Sequence, residues 1–294
     1  MRRFIQAFTL VELLVVIAIV STVAAILLPA FWGARGVVLR SACQSNLHQI
    51  SLGSLAYNLD YDDRFMPINY QPSSPPNSRN DRTWVQMVLP YVGSFQVFQC
   101  PADFSNRPTP EATFDQDLVP GDTDSQYYTA SLRSDYGYNY QNLAPVLLTS
   151  DGGHALTRET NDVSDPSNTV EFMDSVWSRN SSGIPFGGGN WLVVPPCRFY
   201  EPDGASVVPV DSFTGEQNSH VKVFTTSDGW APQVQSASNL YGGAWPWHMG
   251  RLNVVEVDGS VKSLDPIQLS SGCDVQGQWA GEIEDPVAYM WDLR

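Results

Sequence analysis

Phe8-Thr9-Leu10-Val11-Glu12-Leu13-Leu14-Val15-Val16-Ile17-Ala18-Ile19-Val20 decides how this chain is read, because one carboxylate interrupts an otherwise uncharged and mostly apolar run. The run continues to Leu28, so Phe8–Leu28 is 21 residues with a single charge, Glu12. At about 1.5 Å per residue such a helix reaches roughly 32 Å, enough to cross a hydrocarbon core of about 30 Å. A charge there costs on the order of 2.5–3.5 kcal/mol near the middle and less toward an end, and it signals a functional partner. The partner that suits a carboxylate near a helix start is an α-amino group. One arises if Met1–Ala7, carrying Arg2 and Arg3, is cut away before Phe8, which leaves Glu12 one helical turn from the new terminus. An ordinary secretory signal cut near Thr22-Val23-Ala24, or a plain membrane anchor, leaves Glu12 unexplained. Flanking charge does not orient the span, since Arg35 and Arg40 after it balance Arg2 and Arg3 before it.

Ala7-Phe8-Thr9-Leu10-Val11-Glu12 followed by an apolar helix resembles the class III signal of type IV pilins and type II secretion pseudopilins. That family's pattern is Gly-Phe-Thr-Leu-Ile/Val-Glu, and this chain has Ala7 at the Gly position. The resemblance implies cleavage after Ala7 by a prepilin peptidase, N-methylation of Phe8, and pairing of Glu12 with the amine of a neighbouring Phe8. It also implies the partners: inner-membrane lipid before assembly, and other pilin or pseudopilin subunits afterwards, in a homopolymer or a mixed filament. The head would face the periplasm, and the assembled filament would lie there or at the cell surface.

Past Pro29 the helical pattern resumes. Pro29 removes a backbone donor and Gly33 and Gly36 lower propensity, so a kink or loosened turn is expected over 29–36. Leu39, Cys43, Leu47, Ile50, Ser54 and Tyr57 then recur every three or four residues as a narrow amphipathic stripe. The reading is one long helix from Phe8 to Leu59, stopping before Asp60-Tyr61-Asp62-Asp63, whose charges oppose the dipole of a C-terminal turn.

The net charge of −15 is unevenly placed: residues 1–62 hold four arginines against Glu12, Asp60 and Asp62, a net of +1, so the remainder carries −16. A head so acidic, with only Lys222 and Lys262, does not suit nucleic acid. Cys43, Cys100, Cys197 and Cys273 form no C-x-x-C pair and no zinc spacing, which in an oxidising compartment suggests two disulfides. Three connectivities are possible; the one expected is Cys43–Cys100 with Cys197–Cys273.

A second resemblance spans nearly the whole chain. Arg40-Ser41-Ala42-Cys43-Gln44-Ser45-Asn46-Leu47, Cys100-Pro101-Ala102-Asp103, Tyr136-Gly137-Tyr138-Asn139-Tyr140 and Asp165-Pro166-Ser167-Asn168-Thr169 follow in order. His248, nine residues and Asp258-Gly259 complete the set. The combination resembles a large bacterial pilin-like family of unknown function that ends in a His-x9-Asp-Gly signature.

The fold class expected is α+β. A long N-terminal helix, half membrane-spanning and half amphipathic, packs on an antiparallel β-sheet head with long loops. The segments are a leader (1–7), a membrane and assembly half (8–28), an amphipathic half (29–62) and the head (63–294). Within the head, Asn69–Asp81 and Phe104–Ser125 read as loops, and Thr83–Val92 as a short helix broken at Pro90. Asn168–Met173, Trp191–Val194, Val207–Val210 and His220–Thr225 read as strands, and Leu252–Leu264 as a β-hairpin with Asp258-Gly259 as a type I′ turn. Trp279, Tyr289 and Trp291 are expected to fold back onto the sheet.

Catalysis is not expected. His248 and Asp258 invite an acid–base pairing across a hairpin rim, but Asp258 suits the turn and His248 suits packing. His48, His154 and His220 have no partners at metal-triad spacing, and there is no nucleophile elbow, phosphate loop or dinucleotide fingerprint. Calcium is the one cofactor to weigh, at Asp122-Thr123-Asp124 or Asp60-Tyr61-Asp62-Asp63, neither of which has EF-hand spacing. The alternative to a filament subunit is a tethered extracytoplasmic module stacking carbohydrate on Trp230, Tyr241, Trp245 and Trp247.

Overall fold

The computed structural model describes residues 9–70, 82–105, 130–149, 152–180, 182–200, 208–209, 220–221, 241–275, 281–291 and 293. Helix α1 (Leu10–Asp60) leads into a short ladder of β1 (Asn69–Tyr70) with β2 (Arg82–Thr83), then helix α2 (Trp84–Val92). After a 3-10 turn at Phe95–Phe98 come β3 (Tyr136–Tyr138), the single turn α3 (Tyr140–Leu143), β4 (Val146–Thr149) and β5 (Gly152–Ala155). Next are β6 (Val170–Asp174), β7 (Ser178–Arg179), β8 (Pro185–Phe186), β9 (Cys197–Tyr200), β10 (Val208–Pro209) and β11 (His220–Val221). The chain ends with β12 (Leu252–Glu256), β13 (Val261–Leu264), the turn α4 (Pro266–Leu269) and β14 (Gly281–Ile283).

The α+β reading holds. The principal sheet is antiparallel in the order β13-β12-β6-β3, and α1 packs across β12, β13 and β6. Cys43, Leu47, Ile50, Ser54 and Tyr57 of the anticipated stripe are buried. Ser51, Gly53 and Asn58 widen that face, while Leu39 is half-buried. The α1 stripe and Trp84, Val85 and Val88 of α2 share one core with Tyr136, Tyr138, Phe172 and Val255 of the sheet. A second cluster on Val170, Met173, Leu252 and Val254 is closed by Tyr289 and Trp291. The tail therefore folds back as expected: Trp291 Nε1 donates to Leu269 O and the Tyr289 hydroxyl to Cys197 O, both at 2.8 Å. Trp279 lies outside the described residues.

Four local expectations are corrected. Helix α1 is α-helical through Pro29 and past Gly36, because a proline sacrifices one hydrogen bond and the flanking turns carry the rest. Likewise α2 is not broken at Pro90; it closes three residues later at Gly93 (φ 80°), whose N–H donates to Leu89 O. Trp191–Val194 is buried but is not a strand. Its four N–H groups donate in turn to Leu132 O, Asn190 Oδ1, Tyr138 O and Gly242 O, so the donors find partners on different segments without a continuous ladder.

The hairpin of β12 and β13 forms, but its turn is not type I′: Gly259 has φ 87° while Asp258 does not enter the left-handed region. Gly259 N donates to Glu256 O and Glu256 N to Ser260 O, the three-residue loop in which the glycine makes the bulge. The turn with two left-handed centres lies a few residues earlier, at Met249 (φ 54°) and Gly250 (φ 83°) between His248 and Arg251. Asn69–Tyr70 and Val208–Pro209 are short strands inside stretches read as a loop and a longer strand, and of His220–Thr225 only His220–Val221 is described. Residues 106–129, most of the expected Phe104–Ser125 loop, lie outside the described residues.

Candidate assembly site

Thr9 opens α1 as its N-cap with Glu12 three residues on, and the two form a capping box. Thr9 N and Thr9 Oγ1 donate to Glu12 Oε2 at 2.9 and 2.7 Å, and Glu12 N donates to Thr9 Oγ1 at 3.2 Å. Thr9-Leu10-Val11-Glu12 is itself the Ser/Thr-x-x-Glu signature of a helix start, a signal the sequence reading passed over. Glu12 is thus held on the first turn of α1 as a hydrogen-bonded acceptor with one carboxylate oxygen engaged. Every large apolar side chain from Leu10 to Leu28 is exposed in the single chain, and the segment is long and apolar enough to cross a membrane. Ala7 and Phe8, the expected processing residues, lie outside the described residues.

At the other end of α1, the signature residues lie where the helix meets the head. Cys43 of α1 bonds Cys100, and Cys197 bonds Cys273, with Cα–Cα separations of 5.2 and 5.7 Å; both pairings are those expected. Asn46 Nδ2 donates to Gln99 O, fastening the next turn of the helix beside the bridge. Pro101 and Asp103 form the turn after Cys100, where Asp103 N donates to Cys100 O and the Asp103 carboxylate accepts from Ser105 N and Oγ. An added Cβ on Gly259 would stand 3.1 Å from Ser51 Oγ of α1, so this glycine serves both its left-handed turn and the close approach of hairpin to helix.

His248 does not meet Asp258. Asp258 Oδ1 accepts from Ser260 N in the exposed turn, whereas His248 is 2 % exposed, with Nε2 3.3 Å from Asp174 Oδ2 and 3.7 Å from Cys100 Sγ. The carboxylate that His248 finds lies on the neighbouring strand β6, which spacing along the chain could not reveal. Asp174 also accepts from Asn253 N; burial pushes its carboxyl upward against the pull of His248. His248 and the two sulfurs of Cys43 and Cys100 lie within 4.8 Å of one another, but sulfurs joined to each other are not thiolates, so the imidazole packs on the bridge.

Sequence reasoning also missed Glu171. Fully buried in the middle of β6, it accepts a hydrogen bond of 2.5 Å from Ser54 Oγ of α1, and burial pushes its carboxyl up to about 8 despite that bond. Alternation along β6 was no guide, because every residue of this strand is buried. Of the other expected residues, Asp60 accepts from the Tyr91 hydroxyl, Trp247 Nε1 donates to Ser175 O, and Arg179 lies over the Trp245 ring. Asp122, Asp124 and Trp230 lie outside the described residues.

Residues 2–28 match the family model of the prokaryotic N-terminal methylation motif. Comparison with curated proteins and with solved structures finds no match. The matched motif, joined to a helix of 51 residues whose first half is bare, makes this N-terminus a type IV pilin-like prepilin signal. The protein thus carries a prepilin-type signal on a candidate membrane anchor, ahead of its α+β head.

Proposed function

We propose that the chain is a structural subunit, cut after Ala7, methylated at Phe8 and assembled through α1 into a type IV pilus or a type II secretion pseudopilus. The observation that carries this reading is the matched methylation motif continued by an apolar surface exposed from Leu10 to Leu28, with Glu12 held as an acceptor at its start. In a filament the neighbouring helices cover that surface. The new α-amine of one subunit neutralises Glu12 of the next, which offsets the cost of a carboxylate in an apolar bundle and rewards correct register. Burial of His248 against the Cys43–Cys100 bridge suits a structural role for that residue.

Glu12→Val tests the pairing. The variant is expected to insert and be processed as the wild type is, since a charge has been replaced by an apolar residue, but to yield no sheared filament or pseudopilus. Wild-type filament yield in that variant would refute the pairing. Mass spectrometry of the native N-terminus tests the processing: a methylated Phe8 start is expected, and a start at Ala25 would point to ordinary secretion instead.

A further inference from the structure

The head carries a feature that assembly through α1 does not use. Met249 holds φ 54° without being glycine, a conformation that costs on the order of 1–3 kcal/mol and persists only where its surroundings demand it. The turn it forms with Gly250 projects a thioether that is 65 % exposed yet packs on α1, with Sδ 3.4 Å from where a Cβ on Gly36 would stand. Two residues earlier, the Trp247 ring meets Phe104 edge-on at 5.5 Å and Trp245 at 6.3 Å, and the Arg179 guanidinium lies over Trp245. Phe104 is 74 % exposed, and Trp245 and Trp247 are partly so.

The height of this cluster along α1 identifies its occupant. The apolar run read from Phe8 to Leu28 continues without charge to Ala34, so between Glu12 and Arg35 lie 22 uncharged residues, roughly 33 Å of helix. Before assembly the hydrocarbon seats on Leu13–Ala34, with Glu12 at the opposite headgroup level. Trp32 stands at the upper end of this span with Arg35 6.0 Å from its ring, the aromatic and cationic pairing typical of the headgroup level. Gly36 is the next residue, so the head touches the helix where the span leaves the hydrocarbon. Apolar side chains, amphipathic indoles and a guanidinium are the groups that partition favourably there.

We propose that before assembly the head rests on the bilayer its own helix spans, inserting Met249 and Phe104 at headgroup level with Trp245, Trp247 and Arg179 against the phosphates. The inference rests on α1 being membrane-spanning. It gives the unassembled subunit a fixed tilt and shields the cluster until extraction exposes it.

Full-length protein in phosphatidylethanolamine/phosphatidylglycerol vesicles, carrying one photoreactive benzoylphenylalanine at a time, tests this. Probes at Phe104 and at Met249 are expected to form several-fold more lipid adduct than one at Leu59. Leu59 is 77 % exposed but lies about 35 Å farther along the helix than Gly36. A probe at Val16 reports the span itself, so loss of lipid adducts there would indict the membrane reading rather than the docking. With Val16 labelled, adducts at Phe104 and Met249 no more abundant than at Leu59 would overturn the proposal. Adducts only to a second copy of the chain would overturn it too, assigning the cluster to subunit contact. Because a probe at the left-handed Met249 position could disturb its turn, the Phe104 probe stands as the independent measurement.

Discussion

At the scale of single residues, the most consequential side chain in the head is Glu171. Its carboxyl titrates near 8 because burial withholds the solvation that the charged form needs, and the Ser54 hydroxyl only partly compensates. The folded state therefore holds a proton that the unfolded chain has released at any pH between about 4.5 and 8. Unfolded chains bind fewer protons across that window, so stability falls as pH rises through it and is greatest below it. Asp174, also pushed upward by burial, acts in the same direction. The thermal midpoint of the wild type is expected to decline from pH 5 to pH 8, and Glu171→Gln to decline less steeply. An unchanged slope in Glu171→Gln would show that the buried carboxyl is not the titrating group.

At the scale of elements, α1 and α2 cross at Gly53. A Cβ there would stand 2.8 Å from Val92 Cγ2 and 2.9 Å from Val88 Cγ1, closer than side chains approach. On an exposed helix face Gly→Ala stabilises by about 1 kcal/mol. Here overpacking opposes that gain, at about 1–3 kcal/mol, and the two helices must part. Gly53→Ala is expected to lower the midpoint of chemical denaturation, and an increase would mean that α2 yields freely. The sheet shows the same dependence on neighbours: Gly137 of β3 lies against the backbone of Leu192, in the buried stretch that sequence alone read as a strand.

For the whole molecule, the Cys43–Cys100 bridge closes a sequence separation of 57 residues and fastens the long helix to the loop beneath His248. Closing a loop of that size restricts the unfolded chain, and removing such a bridge costs roughly 2–4 kcal/mol. The double variant Cys43→Ser/Cys100→Ser is expected to keep its membrane half while its head is cut sooner by trypsin. Equal protease resistance would show that packing of Leu47, Ile50 and Tyr57 alone holds helix to head.

The N-terminal signal, the long helix, its buried stripe and the hairpin at residues 252–264 were legible in the residue order, because each rests on local periodicity or on contacts a few positions apart. The glycine bulge at Gly259, the left-handed Met249 and the unbroken path through Pro29 and Pro90 depended on backbone angles that residue identity only biases. The pairing of His248 with Asp174 and of Glu171 with Ser54 was decided by tertiary structure, because strand neighbours and helix docking bring together groups 74 and 117 positions apart. Sequence determines an apolar anchor with one acid by composition and period; which buried acid meets which partner follows only once sheet order and helix register fix distances in space.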